Sequence, residues 1–370
     1  MSKARQLADN GAATPNKNIL INGATNISQR GTSFTGLGSS NAVTFGADRF
    51  YVYTANTAGR VTMEPLTADG PSGFANSVKL SCTTADTSIA ANELVLFSQG
   101  IEGRNLQRTD KGSSTAKKLT ASFYVKGNAA ATYMFILYDT DNNRISTTQF
   151  GVTTSWNRIE VAIPADTTGA FNDDNNLSAY FQFYLHAGSN YTSGTYTAGS
   201  WQTNTNANFA PGISSFVDAT SRTLFITGCQ LEVSDAATPF EHKNYGQDLI
   251  DCQRYYTQET AASGSAYKRY GFGGWNTSTA GEIFIPLSTP MRDSPPTLVS
   301  KAAASYQAYS ANATDALTAI AINAETNNGT NNRIVGLTFS TSSGGVAGEA
   351  VQVTATNDTA SYLALDAEIS

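Results

Sequence analysis

Side chains able to do chemistry are few in this sequence, and their spacing argues against catalysis. Two histidines, His186 and His242, occur in 370 residues. A Ser-His-Asp relay needs a histidine beside a nucleophile, and neither neighbourhood carries a motif such as G-x-S-x-G. His186 falls on the outward side of an alternating strand pattern, and His242 follows Phe240 and Glu241 in a polar stretch, so both read as surface residues. Glycan hydrolysis needs two carboxylates roughly 5–9 Å apart. Asp139, Asp141, Asp173 and Asp174 qualify by type, but they stand in turn-like contexts where Asp is favoured for backbone reasons. The same oxygens suit Ca2+, with no spacing that singles out a site. Cys82, Cys229 and Cys252 form no C-x-x-C pair and read as small buried thiols. The run GTSFTGLGSS lacks the lysine of a phosphate-binding loop. The reading is a protein that is not an enzyme and uses no metal or cofactor.

Sugar binding is the chemistry the residue types favour. A sugar ring lays its C–H face on an aromatic ring while Asn, Gln and Asp take its hydroxyls. Tyr191, Tyr196 and Trp201 cluster in one polar segment ahead of Asn204 and Asn206, and Trp275 lies in a second, Gly-rich one. These four are the glycan-binding candidates; the alternative is that they pack over the ends of a sandwich or against other subunits.

The elements that must position them are strands. Only 14% of residues are charged, against roughly 25% in an ordinary globular protein. Thr, Ser, Asn and Gly replace the charge, with 17 Tyr and 18 Phe, a strand-and-turn composition. Phe50 and Val52 alternate with Tyr51 and Tyr53. Leu119 to Lys126, Arg158 to Ile163 and Tyr180 to His186 alternate likewise, so one set faces a core and the other solvent or a second layer. Tyr133 to Tyr138 is apolar on both faces and predicts a central strand. Leu224 to Val233 predicts a strand interrupted at Gly228. Pro286, in the alternating run around Ile283 to Leu287, predicts an edge strand. The expected class is all-β: an N-terminal arm over 1–17, a jelly-roll β-sandwich over 18–243, a short linker helix over 244–259 and a smaller C-terminal β-domain over 260–370. Tyr245, Leu249, Cys252 and Tyr256 form one apolar stripe on that helix. The stripe serves either packing on the sandwich or a seam where subunits meet on an axis.

A formal charge of −6 disfavours sequence-independent nucleic-acid binding. No apolar run reaches the roughly 20 residues that span a membrane. The N-terminus MSKARQLADNG lacks the apolar core of a secretory signal, so folding in a cytosol is expected.

The segment from Ile226 to Tyr256, with I-T-G-x-Q-L-E, A-T-P-F-E, Y-G-x-x-L and C-Q-R-Y-Y, closely resembles a signature of bacteriophage tail-fibre and related virion proteins. The stretch NILINGATNISQRGTSFTG followed by DRFYVY, the Ser155-Trp156 strand, the GSNYTSGT loop and the terminal ALDAEIS are similar too, so the resemblance covers most of the chain. It implies a jelly roll similar to carbohydrate-binding modules, in a tailed-phage particle assembled in the bacterial host cytoplasm. It implies a homotrimer docked on other virion proteins through residues 1–17, as a tail fibre or a peripheral fibre-like protein. The alternatives are a receptor protein binding a host surface glycan, and a capsid-attached decoration protein. The resemblance carries no catalytic residues over.

Overall fold

The computed structural model describes residues 16–261, 266–311, 314–323 and 333–370, so most of the expected N-terminal arm lies outside the described residues. The protein is mostly β, with a few short helices. No helix among the described residues is long and apolar enough to cross a membrane. Two compact units divide at Tyr245 and Gly246.

In the first unit the strands are β1 (Phe34–Leu37), β2 (Ala42–Phe45), β3 (Tyr51–Ala55), β4 (Arg60–Thr67), β5 (Asn76–Thr84), β6 (Leu94–Glu102) and β7 (Leu119–Gly127). They continue with β8 (Ala131–Asp139), β9 (Arg144–Val152), β10 (Asn157–Ile163), β11 (Leu177–Ala187), β12 (Trp201–Thr203) and β13 (Thr223–Val233). They form two antiparallel sheets, one of six strands ordered β1-β4-β5-β13-β7-β10 and one of seven ordered β12-β9-β8-β11-β6-β3-β2. The period-two alternation decides which side chains fill the space between them. Phe50, Val52, Phe97, Phe123, Phe135, Phe150, Phe181 and Phe183 all join one core. Phe123 sits at its centre, with ring centroids 4.7 Å from Phe183, 5.2 Å from Phe150 and 5.7 Å from Phe135.

Strand β13 carries a bulge, its pairing with β7 shifting between Thr227 and Gln230. Gly228 adopts φ 62° there, and a Cβ on it would lie 2.8 Å from the Phe74 ring, so the interruption requires glycine. The N-terminal segment is laced onto this bulge. Cys229 N–H donates to Gly23 O at 2.9 Å and Ile19 N–H to Leu231 O at 2.8 Å. Asn18 Nδ2 donates to Cys229 O at 3.1 Å, while its Oδ1 accepts from Leu231 N–H at 3.0 Å.

The second unit begins with a helix, α-helical over Tyr245–Gln253. The expected helix over 244–259 is thus too long: Tyr256 opens β14 (Tyr256–Thr260), paired with the terminal strand. The strands that follow are β15 (Arg269–Trp275), β16 (Ala280–Pro286), β17 (Thr297–Ser300), β18 (Tyr306–Tyr309), β19 (Thr314–Ile322), β20 (Ile334–Thr341), β21 (Ala350–Ala355) and β22 (Tyr362–Asp366). A closed six-strand barrel, β15-β16-β20-β19-β18-β21, accompanies a small sheet, β14-β22-β17. Closure corrects the expectation for Pro286: β16 pairs on both sides, and Pro286 is simply its last residue. Ile283, Leu337, Phe339, Val353 and Trp275 fill the barrel.

Truncating Phe123 would leave a cavity among four phenylalanines. Phe123→Ala is expected to lower urea-unfolding stability of the first unit by about 3–5 kcal/mol. A loss under about 1 kcal/mol would show that this aromatic layer is not the core.

Candidate functional site

The seven-stranded sheet is apolar on its outer face as well. Leu94, Leu96, Met134, Ile136, Ile145 and Tyr184 form a second cluster there. A single segment, 188–213, covers part of it. Phe209 stacks on Tyr184 at 5.3 Å and 11° and meets Tyr138 edge-on at 5.8 Å. Ala210 N–H donates to Tyr191 O at 2.8 Å, Gln149 N–H to Tyr196 Oη at 3.1 Å and Gln149 Nε2 to Pro211 O at 2.8 Å. Tyr191 and Tyr196 are therefore half-buried members of the cover, packed against the sheet.

Beyond the cover the outer face is lined by tyrosines in strand register. Tyr51 pairs with Ser98, Ser98 with Gln182 and Gln182 with Ile136. In the adjacent row Gly100 pairs with Tyr180 and Tyr180 with Tyr138, the two rings 6.1 Å apart. Tyr53, Tyr138 and Tyr180 keep part of their surface open, and Tyr51 lies beneath. Burial pushes the Tyr180 phenol up to about 12, the neighbouring Tyr138 adding to it and a hydrogen bond with Tyr51 opposing. Burial pushes Tyr51 further in the same direction. Both are neutral hydroxyls at neutral pH. Asn204 Nδ2 donates to Tyr138 Oη at 3.0 Å and to Asn143 Oδ1 at 2.8 Å. Among the described residues, Gln182 Oε1, Gln202 Nε2 and Asn204 Oδ1 are buried amide atoms with no hydrogen-bond partner. An unmatched buried amide atom is costly and calls for a ligand or water.

Trp201 faces the other way. Its Nε1 donates to Pro164 O at 2.8 Å, and Lys111 Nζ lies 5.2 Å from its ring and 5.2 Å from that of Phe171. Lys111 is buried between Asp139 at 2.5 Å and Asp166 at 3.2 Å, and Arg144 grips Asp166 at 2.7 Å. Trp201 roofs this ionic cluster at one end of the sandwich. Trp275 is 2% exposed inside the barrel, edge-on to Phe339 at 5.1 Å, and offers no open face to a sugar. Of the seam residues, Tyr245 is exposed, Leu249 half-buried, and Cys252 and Tyr256 buried within one chain, so the last two present nothing to another subunit.

His186 corrects the sequence reading. It is fully buried, pointing from β11, with Nε2 2.9 Å from Glu93 Oε2 and Nδ1 2.8 Å from Ser215 Oγ. The order is that of a nucleophilic relay. Yet Phe216 N–H is bound to Leu185 O at 2.8 Å, and Val217 N–H is bound to Ser215 Oγ itself at 3.3 Å, so neither is left to hold an oxyanion. His242 packs at 4.9 Å from the Phe240 ring and 5.0 Å from Phe74. Asp174 accepts from Asn176 N–H and Nδ2, the local turn role its context implies, whereas Asp141 accepts from N–H and Nδ2 of the remote Asn172 and so ties two loops together. Among the described residues no group of three His, Cys, Asp or Glu is placed to hold a metal.

Sequence reasoning missed the open tyrosine face. The signal was present in the outward members of DRFYVYT and AYFQFYLH, where tyrosine recurs at the positions that alternation assigns to the side away from the core.

No family model matches this sequence, and no curated protein matches it. Solved structures do, distantly. A carbohydrate-binding module of the CBM4 class aligns over 58% of this chain and 98% of its own, at 10% identity and a TM-score of 0.31. The enzymatically active domain of tailspike protein 4 of bacteriophage CBA120 aligns over 60% of this chain and 22% of its own, at 14% identity and a TM-score of 0.30. The family 11 carbohydrate-binding module of a Clostridium thermocellum cellulosomal cellulase aligns over 56% of this chain and all of its own, at 12% identity and a TM-score of 0.27.

The ionic cluster under Trp201 gives a pH prediction. Burial raises the Asp166 carboxyl, but Arg144, Thr168 N–H and Lys111 together hold it below its ordinary 3.8. A depressed carboxyl stabilises the fold above its unfolded value and loses that contribution as pH falls through its folded value. Asp166→Asn is expected to lower stability at pH 7 and to flatten the acid limb of the stability curve below about pH 4. An unchanged acid limb in urea titrations would contradict it.

Proposed function

We propose that the protein binds a glycan, without acting on it chemically, on the uncovered part of the outer face of the seven-stranded sheet. The observation that supports this reading is the set of tyrosines on this face, Tyr180 and Tyr138 paired in one row and Tyr51 and Tyr53 on β3 two strands away. Tyrosine gives an apolar ring and a polar tip, the pair of properties a sugar presents in return. A non-catalytic role fits the Glu93, His186 and Ser215 line, whose neighbouring N–H groups are already taken.

We propose, second, that the chain is a component of a tailed-phage particle, a tail fibre or peripheral fibre-like protein docked through residues 1–17. This reading draws on the signature block, whose polar residues act together here. Gln230 Nε2 donates to Glu232 Oε1 at 2.8 Å, Thr238 N–H to Glu232 Oε1 at 2.9 Å, Glu241 N–H to Gln230 Oε1 at 2.8 Å and Asn18 N–H to Glu241 Oε2 at 2.7 Å. The motif closes around the N-terminal segment, which is how a chain would hold an arm in a fixed place. Light scattering and particle sedimentation of the full chain, beside one lacking residues 1–17, test this. Two trimers of which only the full chain co-sediments support it; two monomers that bind no particle contradict it.

For the glycan reading, affinity electrophoresis through gels containing soluble mixed-linkage β-glucan, xylan or β-1,4-galactan gives the readout. Retardation in at least one gel is expected, weakened about tenfold by Tyr180→Ala and level between pH 6 and 9, because the Tyr180 phenol stays protonated up to about 12. Retardation unchanged by Tyr180→Ala and Tyr138→Ala would overturn the assignment of the face.

A further inference from the structure

The barrel carries an exposed aromatic row that its own fold does not explain. Phe272 is 60% exposed, Phe284 40% and Tyr309 49%, large values for aromatic side chains in a protein whose other rings are mostly enclosed. They are scattered in sequence, and pairing brings them into line. Tyr309 on β18 pairs with Gln352 on β21, Gln352 with Phe272 on β15, and Phe272 with Phe284 on β16. The next member, on β20, is Gly336, so the row ends on a shelf with no side chain. Strands lie about 4.8 Å apart, which sets Tyr309 and Phe272 about 10 Å from one another across the intervening Gln352.

The chemistry along this row is mixed. Gln352 Oε1 accepts from Arg269 Nε at 2.7 Å, which fixes the amide and leaves its NH2 without a protein partner among the described residues. At the other end Glu282, two residues from Phe284 on the same face, accepts from Asn323 Nδ2. Along the strands the outward neighbours of the rings are Gly274, Glu282 and Gln307, so the apolar surface stays narrow there, widening only towards Pro286 and the exposed Ile334. An interface between proteins needs a broad apolar core with a polar rim. A line of rings one residue wide, spaced by an amide and ended by polar groups, fits a chain of sugar rings laid across the strands.

We propose that this row on the C-terminal barrel is a second glycan-binding site, taking an unbranched neutral polysaccharide across β18, β21, β15 and β16. Tyr309 stacks on one sugar ring, Gln352 donates its amide hydrogens to a hydroxyl of the next, and Phe272 and Phe284 stack on the two that follow. Opposite charges at Arg269 and Glu282 favour a neutral chain over an acidic or basic one. The site stands on its own residues and does not depend on the tyrosine face of the sandwich.

The test uses the full chain and the same polysaccharide gels, in the Tyr180→Ala background as well as in the unaltered protein. Circular dichroism confirms folding, which these exposed positions should not disturb. Residual retardation of the Tyr180→Ala protein is expected to fall about tenfold with Phe272→Ala or Tyr309→Ala and to survive Phe272→Tyr, which keeps a ring. Three outcomes overturn the proposal: no retardation of the Tyr180→Ala protein in any gel, retardation indifferent to Phe272→Ala and Tyr309→Ala, or conversion by Phe272→Ala of an oligomer into a monomer with retardation unchanged. The last would make the row a contact between copies of this chain. Because the tyrosine face is scored by Tyr180→Ala in the unaltered background, failure of one site is separable from failure of the other.

Discussion

A sheet that is apolar on both faces constrains the first unit more than any other feature. The inner face of the seven-stranded sheet supplies most of the phenylalanine layer of the main core. The outer face carries a second apolar cluster that water would penalise if it were left bare. A sheet with one wet face needs no more than alternation; this one needs a lining. The chain supplies it in two ways. Segment 188–213 lays Phe209 on Tyr184 and ties itself down through Gln149. The rest is lined by tyrosines, whose rings shield the sheet while their hydroxyls meet solvent or a ligand. The same solution that protects the sheet leaves tyrosine rings and hydroxyls partly open to solvent.

The core alternation was legible residue by residue. Phe50 against Tyr51, or Phe181 against Tyr180, is decided by the pleat alone, and the interruption at Gly228 is a bulge because only glycine fits its φ and the nearby Phe74 ring. What the outward residues do was not legible. His186 leaves the outward side that alternation assigns it: the register of β11 against β6 shifts between Tyr184 and His186, so His186 pairs with Val95 of the main core and Ala187 with Leu94 of the outer cluster, and Glu93 and Ser215 satisfy its two ring nitrogens. Trp201 looked like a sugar platform in a polar loop. It roofs Lys111, whose carboxylate partners Asp139 and Asp166 are remote in sequence. Tyr256 continued a helical spacing, but pairing with the terminal strand outweighs three residues of helix. Barrel closure, and with it the row of Phe272, Phe284 and Tyr309, depends on pairings between residues as remote in sequence as Arg269 and Thr354, which no local pattern encodes.

The signature between Ile226 and Tyr256 acquires a physical meaning. Gln230, Glu232, Thr238 and Glu241 saturate one another and the segment at Asn18. Each is a buried or half-buried polar group whose loss would strand its partners. Such a network permits little substitution, and it works equally well in a protein that binds sugar, builds a particle or does both.

The central claim is that the open tyrosine face, not the covered part, meets a glycan. Hydroxyl-radical footprinting of the full chain with and without a retarding polysaccharide addresses it at residue level. The account predicts protection of Tyr53, Tyr138 and Tyr180, with Tyr191 and Tyr196 on the cover unchanged. Protection confined to the cover, or none on the first unit, would contradict it.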